Sequence, residues 1–269
     1  MGTPLVATNS RVKEARKLSR RSVRTERRLF LADGPKAVEG ALGAAVDTGE
    51  GCAVEVFATA AATEQYDDLR ALSAGRDVPW TAVEERALAS LSDSVTPAGL
   101  VAVCRFLDRP AEQVWPGADL VAICAEVRDP GNAGTVIRTA DAAGAGAVVL
   151  AGHSVDAYNP KTVRASVGSL FHLPVAIAPD PAAAVADARA AGLTVLAADG
   201  EGELDLFESD DHLRGPVAWL FGNEAWGLPE DLARLADHRV RIPIAGRAES
   251  LNISTAAAVC LYATARARR

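Results

Sequence analysis

Three short stretches hold the residues best suited to chemistry: DPGNAGTVIRTADAAGA from Asp129, LFGNEAWGL from Leu220, and IPIAGRAESLNISTAAA from Ile242. Each is a polar, glycine-containing turn between an apolar run and a helix-like pattern. Each gathers uncharged hydrogen-bonding side chains beside one charge: Asn132 with Arg138, Asn223 with Glu224, and Ser250, Asn252 and Ser254 with Glu249. An apolar core does not call for Asn and Ser at such turns. A site that grips a polar ligand through backbone and amide groups does. Asn132 is placed to cap the helix that opens there. Arg138 follows six residues later, nearly two turns, so a similar face is expected. The plain alternative is a surface pair between Arg138 and Asp141, a contact of little energetic worth. Ser250 and Asn252 lead into the final helix and would by themselves read as its cap.

These turns need a frame. Apolar runs recur through the second half of the chain: LVAICAEV, AVVLAG, LPVAIA, LTVLAA, PVAWLFG and HRVRIPI. Helical patterns lie between most of them, at 132–143, 162–169, 181–191 and 230–236, with an Ala-rich helix at 253–266. Short, near-continuous Val/Ile/Leu strands separated by helices indicate an α/β fold with a parallel sheet covered on both faces. The earlier part alternates likewise. LFLADGPKAVEGALGAA gives a strand, a turn and a helix from near Pro35. VEVFATAAA gives a strand before a helix around 64–72, VPWTAVEERALASLSD a strand and helix, and TPAGLVAVCRF a closing strand. This indicates a smaller α/β domain. DRPAEQVWPG, with two prolines and no period, reads as a linker over 108–117. The expected organisation is therefore 1–107, linker 108–117, and 118–269. A nicotinamide-type dinucleotide enzyme competes for DPGNAG, which follows a strand and opens a helix. It lacks GxGxxG spacing, no P-loop GKS or GKT is present, and that fingerprint has no use for the Asn and Arg.

The 269 residues are 49% hydrophobic and 23% charged, an ordinary globular composition, with a net charge of −7. That charge is unevenly spread. Residues 1–30 hold nine Arg or Lys against Glu14 and Glu26, a balance of +7, so the other 239 residues sum to −14. A basic arm on an acidic body is a nucleic-acid signal, with Arg11–Arg28 as its densest source and Arg20, Arg21, Arg24, Arg27 and Arg28 as candidate RNA contacts. A solvated amphipathic helix or a disordered tail is the competing reading. Lys161 and Arg164, in NPKTVRAS, are candidates for phosphate contact, against a plain solvated helix face. Four scattered cysteines without CxxC give neither a metal site nor a disulfide framework. The start lacks the apolar core of a signal peptide, and no apolar run reaches the ~20 residues of a membrane helix. A cytoplasmic protein is expected.

The three stretches, in this order, resemble the three motifs of the SpoU (TrmH-like) family of RNA ribose 2′-O-methyltransferases, in the SPOUT superfamily. Asn132, Gly134 and Arg138 fit the first motif, Gly222, Glu224 and Gly227 the second, and Pro243 with Ser250, Leu251, Asn252 and Ser254 the third. YNPKTVRASVGSLFHLPV from Tyr158 reads like the family's middle segment. VTPAGLVAV is where the first domain is most similar to the small RNA-binding domain of such enzymes. Ala225 stands where the family often has Gly, and bulky Trp226 follows it.

The resemblance implies a trefoil-knotted catalytic domain, S-adenosylmethionine as cofactor without metal, a homodimer through the C-terminal domains, and RNA as substrate. Ribosomal RNA is favoured. Transfer RNA and an inactive RNA-binding member of the fold are the alternatives, and the third motif weakens base methylation. It implies catalytic roles for Asn132, Arg138, Glu224, Ser250 and Asn252. Cofactor contacts fall to Leu196, Gly222, Asn223, Ile242, Ile244 and Leu251, with Gly222 letting backbone approach the cofactor. An ordinary guanidinium, with its pKa above about 12, is a poor general base. Orienting the hydroxyl or a neighbouring phosphate suits Arg138 better.

Overall fold

The computed structural model describes residues 3–269 and divides into two compact units. Of the described residues, the first comprises those up to 107 with 156–172, and the second 108–155 with 173–269.

The first unit opens with helices α1 (Ser10–Arg16) and α2 (Arg21–Arg27), joined by a short 3-10 turn. The basic segment is thus folded. Val12, Ala15 and Leu18 are buried against Leu31, Phe57 and Val101, while most of its cations stay exposed. Strands β1 (Leu29–Asp33), β2 (Ala53–Ala58), β3 (Trp80–Ala82) and β4 (Leu100–Arg105) form a sheet in the order β1-β4-β2-β3. Only the β2–β3 pair is parallel. Helix α3 (Pro35–Gly43) packs on this sheet, its proline in the first turn, where no intrahelical N–H is required. The helix expected around 64–72 is two, α4 (Ala60–Gln65) and α5 (Asp67–Gly75), broken where Tyr66 leaves helical geometry (φ −117°, ψ 50°). Helix α6 (Glu85–Ala89) completes this part of the chain.

The second unit begins within the expected linker. Arg109 donates its N–H to the Val175 carbonyl (2.9 Å), and Val114 and Trp115 are buried in the core. Strand β5 (Leu120–Ala125), helix α7 (Pro130–Ala142) and strand β6 (Ala147–Ala151) follow. The chain then leaves for the first unit at 156–172, where it forms helix α8 (Pro160–Ser166), and returns as strand β7 (Val175–Ala178). This excursion fills the first unit's core. Tyr158 stacks on Phe106 at 3.8 Å, its hydroxyl accepts the Leu107 N–H (2.7 Å), and a Cβ on Gly40 would meet the Phe171 ring at 2.7 Å.

Helix α9 (Pro181–Ala190), strand β8 (Thr194–Ala198), the two-residue strand β9 (Leu204–Asp205), helix α10 (Asp210–Leu213) and strand β10 (Val217–Phe221) continue the second unit. Helix α11 (Glu230–Ala233), strand β11 (His238–Arg241) and helix α12 (Ile253–Ala267) close it. The seven strands are all parallel, in the order β7-β6-β5-β10-β8-β11-β9. This is the parallel α/β architecture expected from the apolar runs: β5, β6 and β10 are buried along their whole length. Helices α7 and α12 pack on each other and on the sheet. Buried Trp219 ties sheet to helix by donating to the Thr264 hydroxyl (2.9 Å). No helix among the described residues is long and apolar enough to cross a membrane.

Candidate active site

Parallel strands bring all their C-terminal ends to one edge of the sheet, and loops there form the usual ligand crevice of open α/β sheets. At the ends of β8, β10 and β11 lies a cleft of about 250 Å³. Its walls include Ala198, Gly222, Asn223, Ile242, Ile244, Ser250 and Leu251. Ile244 and Leu251 are partly exposed on it, at 39% and 38%.

The second stretch makes a tight loop after β10. Asn223 and Gly227 exchange N–H to carbonyl bonds (2.9 and 3.0 Å). The buried Asn223 amide donates to the Glu126 carbonyl (2.6 Å) and accepts from the Ala225 N–H (2.8 Å). A Cβ on Gly222 would overlap the backbone of Gly227 and Leu228. The glycine is therefore required for the loop to close on itself.

Glu224 reaches from this loop to the first stretch. Its carboxylate accepts the N–H groups of Arg128 (3.1 Å) and Asp129 (3.0 Å) and the Asn132 side-chain amide (3.1 Å). Partial burial pushes its pKa up, but these donors prevail and hold it below the ordinary glutamate value. The third stretch joins through Asn252, whose Nδ2 donates to Asn132 Oδ1 (3.0 Å). Its own Oδ1 caps α12, accepting from the Ser254 N–H (2.9 Å) and hydroxyl (2.6 Å). The chemistry fixes both amide orientations. An ionised carboxylate only accepts, so Asn132 must turn its NH2 to Glu224 and its oxygen to Asn252. The Asn252 oxygen is then left for the helix. Glu224, Asn132 and Asn252 thus form one hydrogen-bonded chain across all three stretches.

Several residues stand elsewhere than expected. Asp129 caps α7, accepting the Asn132 N–H at 2.8 Å, with Pro130 in the first turn. Asn132 lies a turn inside, which frees its side chain for Glu224 and Asn252. Arg138 is not on Asn132's face: six residues at about 100° each fall roughly 120° short of two turns. It is exposed and makes no hydrogen bond or ion pair with any described residue, Asp141 included. Leu196 sits within the sheet, fully buried, and does not line the cleft. Ala198, two residues on at the strand's end, does.

Among the expected RNA contacts, Arg24 is 2% exposed. Its guanidinium donates to Asp156 Oδ2 (2.6 Å) and to the carbonyls of Leu18 and Ser19 (2.9 and 2.8 Å), which leaves nothing for a phosphate. Arg27 pairs with Glu14 (2.8 Å), Arg28 lies over the Phe106 ring (4.6 Å), and Arg164 pairs with Asp93. Lys161 is exposed on α8. Arg20 and Arg21 are exposed without a described partner. Lys13 and Arg16, in the basic arm but outside that set, are likewise exposed without a described partner.

A parallel sheet with a cleft over its strand ends, bordered by hydrogen-bonded amides, is the arrangement in which open α/β proteins bind small ligands. The comparisons narrow that class. Residues 119–262 match the SpoU rRNA Methylase family and residues 9–102 the MRM3-like substrate binding domain. The chain is 34% identical to the 23S rRNA (guanosine(2553)-2′-O)-methyltransferase RlmP of Bacillus subtilis, over 95% of this chain and 96% of that one. A match of 44% to the 23S rRNA (uridine(2479)-2′-O)-methyltransferase of Streptomyces viridochromogenes spans 52% of this chain and half (50%) of that relative. The AdoMet-bound rRNA methyltransferase of Sinorhizobium meliloti superposes with a TM-score of 0.83 at 35% identity, covering 96% of this chain and 95% of that one. The chain belongs to the SpoU family, as its three motifs indicate.

Proposed function

We propose that this protein transfers a methyl group from S-adenosylmethionine to a ribose 2′-hydroxyl of ribosomal RNA. The observation that carries the reading is the Glu224–Asn132–Asn252 chain, which ties the three motifs together beside a cleft at the strand ends. Family membership and the names of the relatives select ribosomal RNA over transfer RNA.

The cleft suits the cofactor. Ile242, Ile244 and Leu251 offer apolar walls to a planar base, and Ser250 and Glu249 add polar groups to its lining. S-adenosylmethionine, when bound, supplies an electrophilic methyl on a sulfonium. The chain's task is to align the hydroxyl with it and to ease proton loss. Arg138, exposed and without a partner among the described residues, suits holding the hydroxyl or an adjacent phosphate and stabilising charge as the proton leaves. Glu224 is occupied by three donors, which argues for a positioning role over that of a base. Ser250, on the cleft wall, is left for substrate or cofactor. The knotted path, a homodimer through the second unit, a metal-free reaction, the first unit as RNA-binding domain and a cytoplasmic setting belong to the same reading.

Calorimetry with S-adenosylmethionine in the presence of chelator tests the cofactor, with binding expected. Mapping ribose methylation across ribosomal and transfer RNA with and without the gene tests the substrate. One ribosomal site should disappear. Loss of a transfer-RNA site instead would move the substrate, and an unchanged map with no cofactor binding would sink the enzyme reading.

A further inference from the structure

Two loops wall the cleft, and each carries one exposed side chain that the reaction so far described does not use. The Asn223–Gly227 loop supplies Glu224, Ala225 and Gly227 to the lining, and its Trp226 is 60% exposed. The 242–251 loop supplies Ile244, Glu249, Ser250 and Leu251, and its Arg247 is exposed with no hydrogen bond or ion pair to any described residue.

Trp226 sits on a hydrogen-bonded turn. The paired N–H to carbonyl bonds of Asn223 and Gly227, the Asn223 amide on Glu126, and the triply bonded Glu224 carboxylate fix the turn on both sides of it. The indole projects from this tied-down turn and is mostly exposed. An exposed aromatic on a rigid loop is a stacking platform, and every nucleobase presents a face to it. An exposed guanidinium matches a phosphate. A base in an A-form helix is stacked on its neighbours and has no face to offer, so this pair of groups selects an unpaired nucleotide.

We infer that Trp226 and Arg247 form a clamp at the mouth of the cleft for an unpaired nucleotide of the substrate RNA, with the base stacked on the indole and a phosphate on the guanidinium. The clamp is a positioning and selecting device, and it rests on the reading of the chain as an RNA methyltransferase.

The test uses the full chain, a short unstructured ribo-oligonucleotide, and a blunt RNA duplex of the same length. Of the four tryptophans, Trp115 and Trp219 are buried and Trp226 is the most exposed, so intrinsic fluorescence reports on it. The single strand should quench that fluorescence and the duplex should not. Trp226→Phe should keep much of the binding while losing the quench. Trp226→Ala should weaken single-strand binding by roughly 5- to 150-fold, as loss of one base stack does, and raise KM for RNA more than it lowers kcat. Arg247→Gln should reduce the log–log salt slope by about 0.7, one phosphate on a single strand. Calorimetric affinity for S-adenosylmethionine should hold in all three variants.

Equal quenching in Trp226→Phe, or a duplex bound as well as the single strand, overturns the clamp. So does a Trp226→Ala protein that binds RNA normally but changes its sedimentation, because a second copy of the chain would then be what covers the indole. Failure of the wild type to bind cofactor or to methylate any RNA would instead overturn the underlying reading. An active wild type with unaltered variants overturns the clamp alone.

Discussion

At Glu224 three donors converge on two oxygens: Oε1 takes the Asp129 N–H and the Asn132 amide, and Oε2 takes the Arg128 N–H. Glutamine could keep the first pair but would turn an NH2 against the Arg128 N–H. Glu224→Gln should therefore cost about 1 kcal/mol, a charge-assisted bond discounted for exposure, and weaken cofactor binding about fivefold. The pH dependence has a definite sign. Its pKa is lowered in the fold, so the carboxylate's contribution is complete above the ordinary glutamate value and is lost as pH falls through the lowered one. The Glu224 share of wild-type stability should hold into mildly acid solution and then fall away, and the Gln protein should lack that acid step. Calorimetry over a pH series measures both, and a Gln variant matching the wild type at neutral pH would remove Glu224 from the site's support. The polar residues of this network were legible because Asn, Ser and Glu at glycine turns have little use in a core. Their wiring was not, because Asn132 as cap and Asn132 as bridge are the same letter. Arg24 misled for the opposite reason: its partner Asp156 lies 132 positions away, and no local pattern reports a contact of that range.

The loop after β10 is the element on which the cleft depends, and Gly222 is its tightest point. A methyl there meets backbone, which cannot step aside as a flexible side chain would. Gly222→Ala should destabilise the second unit by about 1–3 kcal/mol and weaken cofactor binding with it. Gly215→Ala is the control, because a Cβ at Gly215 has nothing within 4 Å. Thermal melts and calorimetry on the two proteins decide it, and a Gly222→Ala protein with an unshifted melt would show that the loop has slack. Strands β5, β6 and β10 were readable since each is a continuous apolar run, as a sheet covered on both faces requires. Leu204–Asp205 was not, since two residues carry no period. Nor was the break between α4 and α5, which no Gly or Pro marks and which rests on the backbone of Tyr66. At β8 the apolar run gave the strand but not its depth, so Leu196 was taken for a wall that Ala198 supplies.

Across the whole chain the charge separates into a +7 start and a −14 remainder, and the fold divides that start into exposed and structural cations. The composition could not make this division, because an arginine in a buried pair and one facing water count alike. Nor could order along the chain show that 156–172 completes the first unit, since the segment sits between two strands of the second. The division yields opposite expectations for two sets of substitutions. Lys13, Arg16, Arg20 and Arg21 are exposed without described partners, so they are the cations free to meet phosphates. Replacing all four by Gln should weaken RNA binding and flatten its log–log salt slope by up to about 3, at ~0.7–0.9 per phosphate released, while the melting temperature hardly moves. Arg24 is buried on Asp156, so Arg24→Gln leaves a carboxylate without its countercharge inside the first unit. That should cost about 3–5 kcal/mol and leave the salt slope of the surviving folded protein unchanged. Filter binding at several salt concentrations, beside thermal melts of both proteins, separates the two effects. If the four-fold Gln variant keeps the wild-type slope, the exposed cations of α1 and α2 do not carry RNA, and the acidic body must bind it through cations elsewhere.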